Sequence, residues 1–264
     1  MSLEVVILGC GSSGGVPRVA QGWGQCDPGN PKNRRRRCGI LVELRRGDHL
    51  TRLLVDAGAD LREQLIDAGV DRLDALLLTH AHADHVHGLD DLRPLTMAMH
   101  RMIDCYLDAP TWQAIRLRFD YLFETPPGSN YPPLLLPHHL NPGVGFAPDG
   151  PGGALKCLPF RLNHGDIDAL GFRFGGCAYT PDVKYVPEES ESFLENLDLW
   201  IVDALRHKLH PSHLSLGETL ELVEKFKPKR VVLTNLHTDL DYEALRKILP
   251  ERIEPAYDGL RLQL

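Results

Sequence analysis

A short apolar segment followed by three histidines and an aspartate constrains this chain more than any other feature. Leu76–Leu78 is strand-like, and the next seven residues contain His80, His82, Asp84 and His85. Imidazole nitrogens and carboxylate oxygens are the ligands that zinc and related divalent metals take in proteins. The spacers between them are small alanines, so a turn at the end of the strand can direct all four side chains to one point. Because a solvated histidine-rich loop has no reason to follow a buried strand directly, this segment predicts a metal site.

Other strand-like segments also end in side chains that can bind metal. They deliver His164, Asp182 and His237. One histidine at a strand end is more often a packed core residue, but several such ends together with the segment at 80–85 predict a shared site. Asp56 ends another strand, where it is expected either to orient a metal-bound histidine or to cap the following helix.

The composition is that of an ordinary globular protein, and we expect one domain over residues 1–264. The chain is 43% hydrophobic and 25% charged. It has no apolar run near the roughly 18 residues of a membrane span, and no N-terminal pattern typical of a signal peptide. Its six cysteines lack CxxC spacing and are expected to be reduced, which favours a cytoplasmic location.

Two polar segments near the N-terminus each allow two interpretations. The glycine-rich segment 9–17 follows a strand and either cradles a phosphate or is a tight loop that passes close to a neighbour. The run Arg34–Arg37 is either a solvated face or a surface that steers an anionic substrate. The formal net charge of −7 argues against a broadly basic nucleic-acid surface.

The pattern of elements predicts a sheet-rich α/β sandwich, because strands outnumber helices and helices lie between groups of strands. A Ser-x-x-Glu capping box, Ser215 and Glu218, opens one helix. Residues 128–153 are rich in proline and glycine and are expected to be a loop, which often covers a site. Helices are predicted over 59–68, 110–119, 215–226 and 241–249.

The hexapeptide from His80 to His85 resembles the H-x-H-x-D-H signature of the metallo-β-lactamase superfamily of metallohydrolases. The resemblance implies an α/β (α+β) fold, the αββα four-layer sandwich, with the metal site at the edge between the two sheets. It also implies two divalent metal ions, zinc or manganese. In this family the ions lower the pKa of a shared water, so that hydroxide forms near neutral pH, and they neutralise charge on the substrate.

The resemblance implies a metal-binding role for each of seven residues. In addition to its metal role, Asp84 is expected to accept a proton from the water. Asp182 resembles the carboxylate that bridges both ions. The ligands of the first ion are expected to be His80, His82 and His164, and those of the second Asp84, His85 and His237.

One branch of the superfamily fits the remaining motifs best. His213 resembles the additional histidine of the phosphodiesterase branches, which stabilises the attacked phosphate or protonates the leaving oxygen; a capping or surface histidine is the alternative. Segments 11–17, 30–35 and 235–239 are most similar to PhnP-type phosphodiesterases, the phosphoribosyl cyclic-phosphate phosphodiesterases. That group has further cysteine ligands for a structural zinc in its N-terminal loop, where this chain keeps only Cys26.

The sequence therefore predicts a metal-dependent phosphodiesterase with Asp84 and His213 as catalytic residues. We expect small or cyclic phosphodiesters as substrates before RNA, no membrane partner, and an assembly compatible with a homodimer. One alternative is a tRNA 3′-processing endonuclease, although no long basic arm is visible. Another is a non-hydrolytic metal-binding accessory protein, similar to the pyrroloquinoline-quinone biosynthesis branch.

Overall fold

Two mixed β-sheets, packed face to face with helices on both outer faces, form the centre of the protein. The structure is a computed structural model that describes residues 2–264. Three clusters of buried apolar side chains hold the layers together: one between the sheets and one between each sheet and its helices. The predicted four-layer αββα sandwich is confirmed.

The first sheet contains seven strands: β1 (Ser2–Gly9), β2 (Gly39–Arg46), β3 (His49–Val55), β4 (Ala75–Leu77), β5 (Ile103–Leu107), β6 (Leu135–His139) and β13 (Arg261–Gln263). Their spatial order is β13-β1-β2-β3-β4-β5-β6. The pairs from β13 to β3 are antiparallel and those from β3 to β6 are parallel. Buried alternate residues such as Val5, Ile7 and Val55 face the second sheet.

The second sheet contains six strands: β7 (Leu158–His164), β8 (Ile167–Phe174), β9 (Cys177–Thr180), β10 (Leu199–Asp203), β11 (Arg230–Thr234) and β12 (Ile253–Pro255). Their spatial order is β12-β11-β10-β9-β8-β7. β9 to β12 are parallel, so the carboxyl ends of these strands meet at one edge, with Asp203 directly beside Thr234. Leu170 of β8 donates a 2.8 Å hydrogen bond to the Thr79 carbonyl, which joins this edge to the segment after β4.

The helices are α1 (Leu61–Asp67), α2 (Ala83–Val86), α3 (Arg93–Met99), α4 (Ala109–Arg118), α5 (Glu188–Glu191), α6 (Leu216–Phe226) and α7 (Tyr242–Ile248). α1, α4, α6 and α7 match the four predicted helices. The capping box of α6 is formed in both directions between Ser215 and Glu218. α1, α3 and α4 cover the first sheet, and α6 and α7 cover the second. None of the helices in the described part of the chain has the length and apolar character needed to cross a bilayer.

The segment 128–153 differs from its prediction as one long loop. Its middle forms the edge strand β6, which pairs with β5 in parallel. An alternating apolar pattern is too short here to be recognised among prolines, so only the pairing reveals the strand. The end of the segment packs near Asp74, where a Cβ on Gly150 would lie 2.7 Å from the carboxyl group. Because Asp74 immediately precedes β4, this part lies at the end of that strand opposite to His80 and does not cover the site.

Candidate metal centre

Three imidazole rings converge at the junction of the two sheets. His80 Nε2 lies 2.9 Å from His82 Nδ1, which lies 3.3 Å from His164 Nε2. In a tetrahedral zinc site with Zn–N bonds of about 2.0–2.1 Å, two nitrogens lie about 3.3 Å apart. The spacing of these nitrogens therefore suits a shared cation.

Hydrogen bonds on the far side of two of these rings fix which nitrogen is free. The Thr79 hydroxyl donates to the Asp56 carboxylate, 2.9 Å away, and therefore accepts from His80 Nδ1 at 3.0 Å. His164 Nδ1 donates to the Ser212 carbonyl at 2.7 Å. Burial lowers the pKa of both histidines, that of His80 well below its ordinary value. Both rings are thus neutral at pH 7, with the Nε2 lone pair directed into the site.

A second group lies directly beside the first. His85 Nε2 is 3.1 Å from Asp182 Oδ2 and 3.4 Å from Asp84 Oδ2. His85 Nδ1 is 2.8 Å from Asp56 Oδ2, so Asp56 orients this ring, as one of its two predicted roles requires. Asp56 makes no cap on α1, whose N-cap residue is Asp60.

Asp182 lies between the two groups. Its Oδ2 faces His85, and its Oδ1 is 3.8 Å from His164 Nε2. Burial opposes ionisation of this carboxyl, but His85 outweighs burial and holds the pKa of Asp182 well below its usual range. Although it is buried, its Oδ2 has no well-directed hydrogen bond in the described chain. A buried carboxylate that faces only an imidazole is costly unless a cation neutralises it, so these residues fit divalent metal.

His213 lies at the margin of this cluster and pairs with the carboxylate of Asp203. Its Nδ1 is 2.8 Å from Asp203 Oδ2 and 3.7 Å from Asp182 Oδ1. Burial disfavours the protonated ring, but the Asp203 carboxylate outweighs burial and raises the pKa of His213 to about 9. Its ligand atom also lies within 4.8 Å of those of His164 and Asp182. The Asp203 carboxylate thus occupies His213 Nδ1.

Asp203 is a site residue to which sequence reasoning assigned no role. It is the last residue of β10, fully buried, and its backbone also supports α6 through a 2.7 Å bond from the Thr219 hydroxyl. The available signal was its position: a carboxylate at the end of a buried strand, among other strands that end in site residues.

The structure does not bring His237 into the cluster with the six other predicted ligands. Its Nε2 lies 2.5 Å from the Arg18 guanidinium, and its Nδ1 lies 3.1 Å from the Thr238 hydroxyl. The physical reason is a left-handed turn at Asn235, with φ of 62°, directly after β11 ends. Asn235, 3% exposed, faces the site instead. An asparagine at a buried strand end was the signal for it.

The other segments singled out from the sequence have structural contacts. Arg35 is 2% exposed and bonds the Leu240 carbonyl, while Arg36 and Arg37 pair with aspartates, so these three are not free to steer a substrate. A Cβ on Gly9 would lie 2.0 Å from the Arg37 carbonyl oxygen, which supports the tight-loop interpretation of segment 9–17.

Cys26 Sγ lies 3.5 Å from the Thr238 carbonyl, and no metal-competent group among the described residues includes it.

Comparisons with known proteins agree with this architecture. The family profile described as "Beta-lactamase superfamily domain" matches residues 51–235. The chain is 35% identical over 263 residues to an octanoyltransferase of Porphyromonas gingivalis, covering 98% of this chain and 51% of that protein. It is 32% identical over 148 residues to a ribonuclease Z of Bradyrhizobium, covering 54% of this chain and 46% of that protein. The chain thus spans about half the length of the curated relatives that it matches.

Solved structures extend the similarity to the whole chain. A diphosphatase from the PhnP family superimposes with a TM-score of 0.86 at 31% identity, covering 100% of this chain and 98% of that one. Zn²⁺-bound PqqB from Methylobacterium extorquens gives a TM-score of 0.73 at 20% identity, covering 99% and 100%. The short form of human tRNase Z gives 0.63 at 18% identity, covering 98% of both chains. The last two likenesses show the fold alone.

Proposed function

The chain belongs to the metallo-β-lactamase superfamily and is related to its PhnP family, and from this premise we propose that it is a metal-dependent hydrolase of phosphodiester bonds. The observation that carries the proposal is His213, a histidine held protonated by Asp203 beside the candidate metal ligands. Hydrolysis of a phosphodiester needs a proton for the leaving oxygen, and such a group supplies it. Small or cyclic phosphodiesters are the proposed substrates.

The proposed cofactors are two divalent ions, zinc or manganese, because imidazole and carboxylate donors suit both. When bound, such ions act as Lewis acids and lower the pKa of water. Asp182 would contact both ions. The remaining ligands would be His80, His82 and His164 for one ion, and Asp84 and His85 for the other.

Asp84 and His213 would divide the proton transfers between them. The Asp84 side chain is 16% exposed, more than that of His85 beside it. Burial opposes its ionisation, but His85 outweighs burial and holds the pKa of Asp84 below its usual range, so the group is ionised at neutral pH. As a carboxylate it would be the acceptor for a proton from the attacking water. Since Asp203 accepts the Nδ1 proton of His213, the Nε2 proton is the one available for the leaving oxygen.

A tRNA 3′-endonuclease is the second candidate, and the similarity to ribonuclease Z favours it. Two observations argue against it: the net charge of −7, and the structural contacts that engage Arg35, Arg36 and Arg37. Long RNA is held mainly through phosphate contacts from lysine and arginine. We therefore rank small phosphodiesters before RNA.

The test is hydrolysis of bis(p-nitrophenyl) phosphate by the purified protein, before and after chelation and with zinc or manganese restored. We expect nitrophenol release that is lost on chelation and recovered with metal. Cyclic ribose phosphates and a 3′-extended tRNA then separate the two candidates. Metal-loaded protein that cleaves none of these substrates would refute the proposal and favour a non-hydrolytic role.

A further inference from the structure

Asn235 fills the position where β11 delivers a side chain into the metal centre. Its amide Nδ2 lies 3.0 Å from the Pro181 carbonyl, 3.5 Å from Asp182 Oδ1 and 3.1 Å from His213 Nδ1. β11 lies between β10 and β12 in the parallel part of its sheet and is paired with both. Its carboxyl end therefore cannot move away from the site without breaking the sheet. The backbone after it is held as well, since Leu236 donates to the Cys10 carbonyl at 2.8 Å.

The hydrogen bonds of Asn235 determine which way its amide faces. The Pro181 carbonyl can only accept, so the atom 3.0 Å from it must be the amide nitrogen and not the oxygen. That nitrogen is also the atom nearest to the Asp182 carboxylate. An amide NH₂ group donates hydrogen bonds and has no lone pair for a metal ion. Asn235 therefore presents a donor, and not a metal ligand, toward the Asp182 carboxylate.

His237 cannot contribute a ligand from its observed position. Arg18 and the Thr238 hydroxyl occupy its two ring nitrogens. Its backbone is fixed on both sides, because its N–H donates to the Leu205 carbonyl at 2.9 Å and Arg35 donates to its carbonyl at 3.3 Å. Among the residues that the structure describes, His237 belongs to none of the groups of His, Cys, Asp and Glu side chains that could share a metal ion.

From this geometry we propose that the two metal positions are unequal. The first has four protein ligands, His80, His82, His164 and Asp182. The second has three, Asp84, His85 and Asp182, and keeps the remaining coordination open. We expect the second equivalent of metal to bind at least about a hundredfold more weakly than the first, since loss of even an indirect partner of a ligand weakens affinity about 10–100-fold. This inference rests on the metal centre of the proposed function.

The experiment is a zinc titration of the whole chain after removal of metal by chelation. A chromophoric chelator reports free zinc, and elemental analysis after dialysis at buffered zinc reports the bound equivalents. The wild-type protein should show one tight and one weak equivalent. Asn235→His would place a ring nitrogen beside Asp182, which is assigned to both positions, and histidine tolerates the left-handed backbone here. Because the first position already has four protein ligands, the variant should tighten the second equivalent by about tenfold or more. Two wild-type equivalents of equal affinity would overturn the inference.

Three further variants make the result specific. Asn235→Asp keeps the shape of the side chain and replaces the amide with a carboxylate, so it should also tighten the second equivalent. It supplies a ligand of the original size in case the imidazole of Asn235→His does not fit. Asn235→Ala removes the amide without adding a ligand, and should leave the second equivalent weak. His237→Ala should bind zinc as the wild type does; loss of an equivalent in it would identify His237 as the ligand and overturn the inference. Turnover of phosphodiesters at saturating metal tests the proposed function separately, since a two-step titration can occur with or without activity.

Discussion

The pairing of Asp203 with His213 gives the sharpest prediction. Replacement of Asp203 by asparagine keeps the shape of the side chain and an acceptor oxygen near His213 Nδ1, now 2.8 Å from Asp203 Oδ2. It removes the negative charge that favours the protonated ring. Because burial by itself disfavours the imidazolium, the pKa of His213 should fall in the variant to its ordinary value or below it.

The size of the effect follows from that fall. The difference between a pKa of about 9 and the ordinary value of 6.5 corresponds to about 3 kcal/mol of stabilisation of the protonated ring. At about pH 7.5 the ring would be almost fully protonated in the wild-type protein but only about one-tenth protonated in the variant. Because the pKa of His213 is raised in the wild-type protein, the ring keeps its proton up to about pH 9. The variant loses this proton at lower pH.

The assay is the pH dependence of kcat/KM between about pH 6 and 10, at saturating metal, with a cyclic ribose phosphate that releases a poor leaving group. The basic limb of the profile should move down by about 2.5 pH units or more in Asp203→Asn. Asp168→Asn is the matched control, since Asp168 is a surface carboxylate paired with Arg161, and its profile should be that of the wild type. An unchanged basic limb in Asp203→Asn would refute the reasoning.

Four other variants test the remaining parts of the site and the fold. His213→Ala should lower phosphodiester turnover by about a hundredfold or more while elemental analysis shows unchanged metal, and wild-type turnover would exclude a role as acid. Asp182→Ala should lose bound metal, because this carboxylate faces both ligand groups; wild-type metal content would contradict the bridging role. Asp56→Asn should weaken metal affinity by about 10–100-fold in a chelator competition, because it disturbs the partner of His85 Nδ1. Ser215→Ala should lower the free energy of unfolding by about 1 kcal/mol in a urea titration, because it removes the capping box of α6.

Local patterns in the sequence were enough for most of the elements. The helix of Ser215 and Glu218 was predicted with its capping box because a cap is formed by residues three positions apart. The strand before His80 was likewise readable from a short apolar run. β6 was missed, since its few residues acquire strand geometry only through pairing with β5. α3, in a stretch that the sequence left undefined, was also missed.

For the site, the sequence by itself determined the chemistry of the segment from His80 to His85. Its ligand types and spacing lie within one turn, where the chain has little freedom to separate them. Only the tertiary structure decided which residues of the other strands complete the site. It placed Asp203 behind His213 through the register of parallel strands, and it turned Asn235 inward and His237 outward through one left-handed residue. Those outcomes depend on contacts between segments far apart in the chain, and no local pattern specifies them.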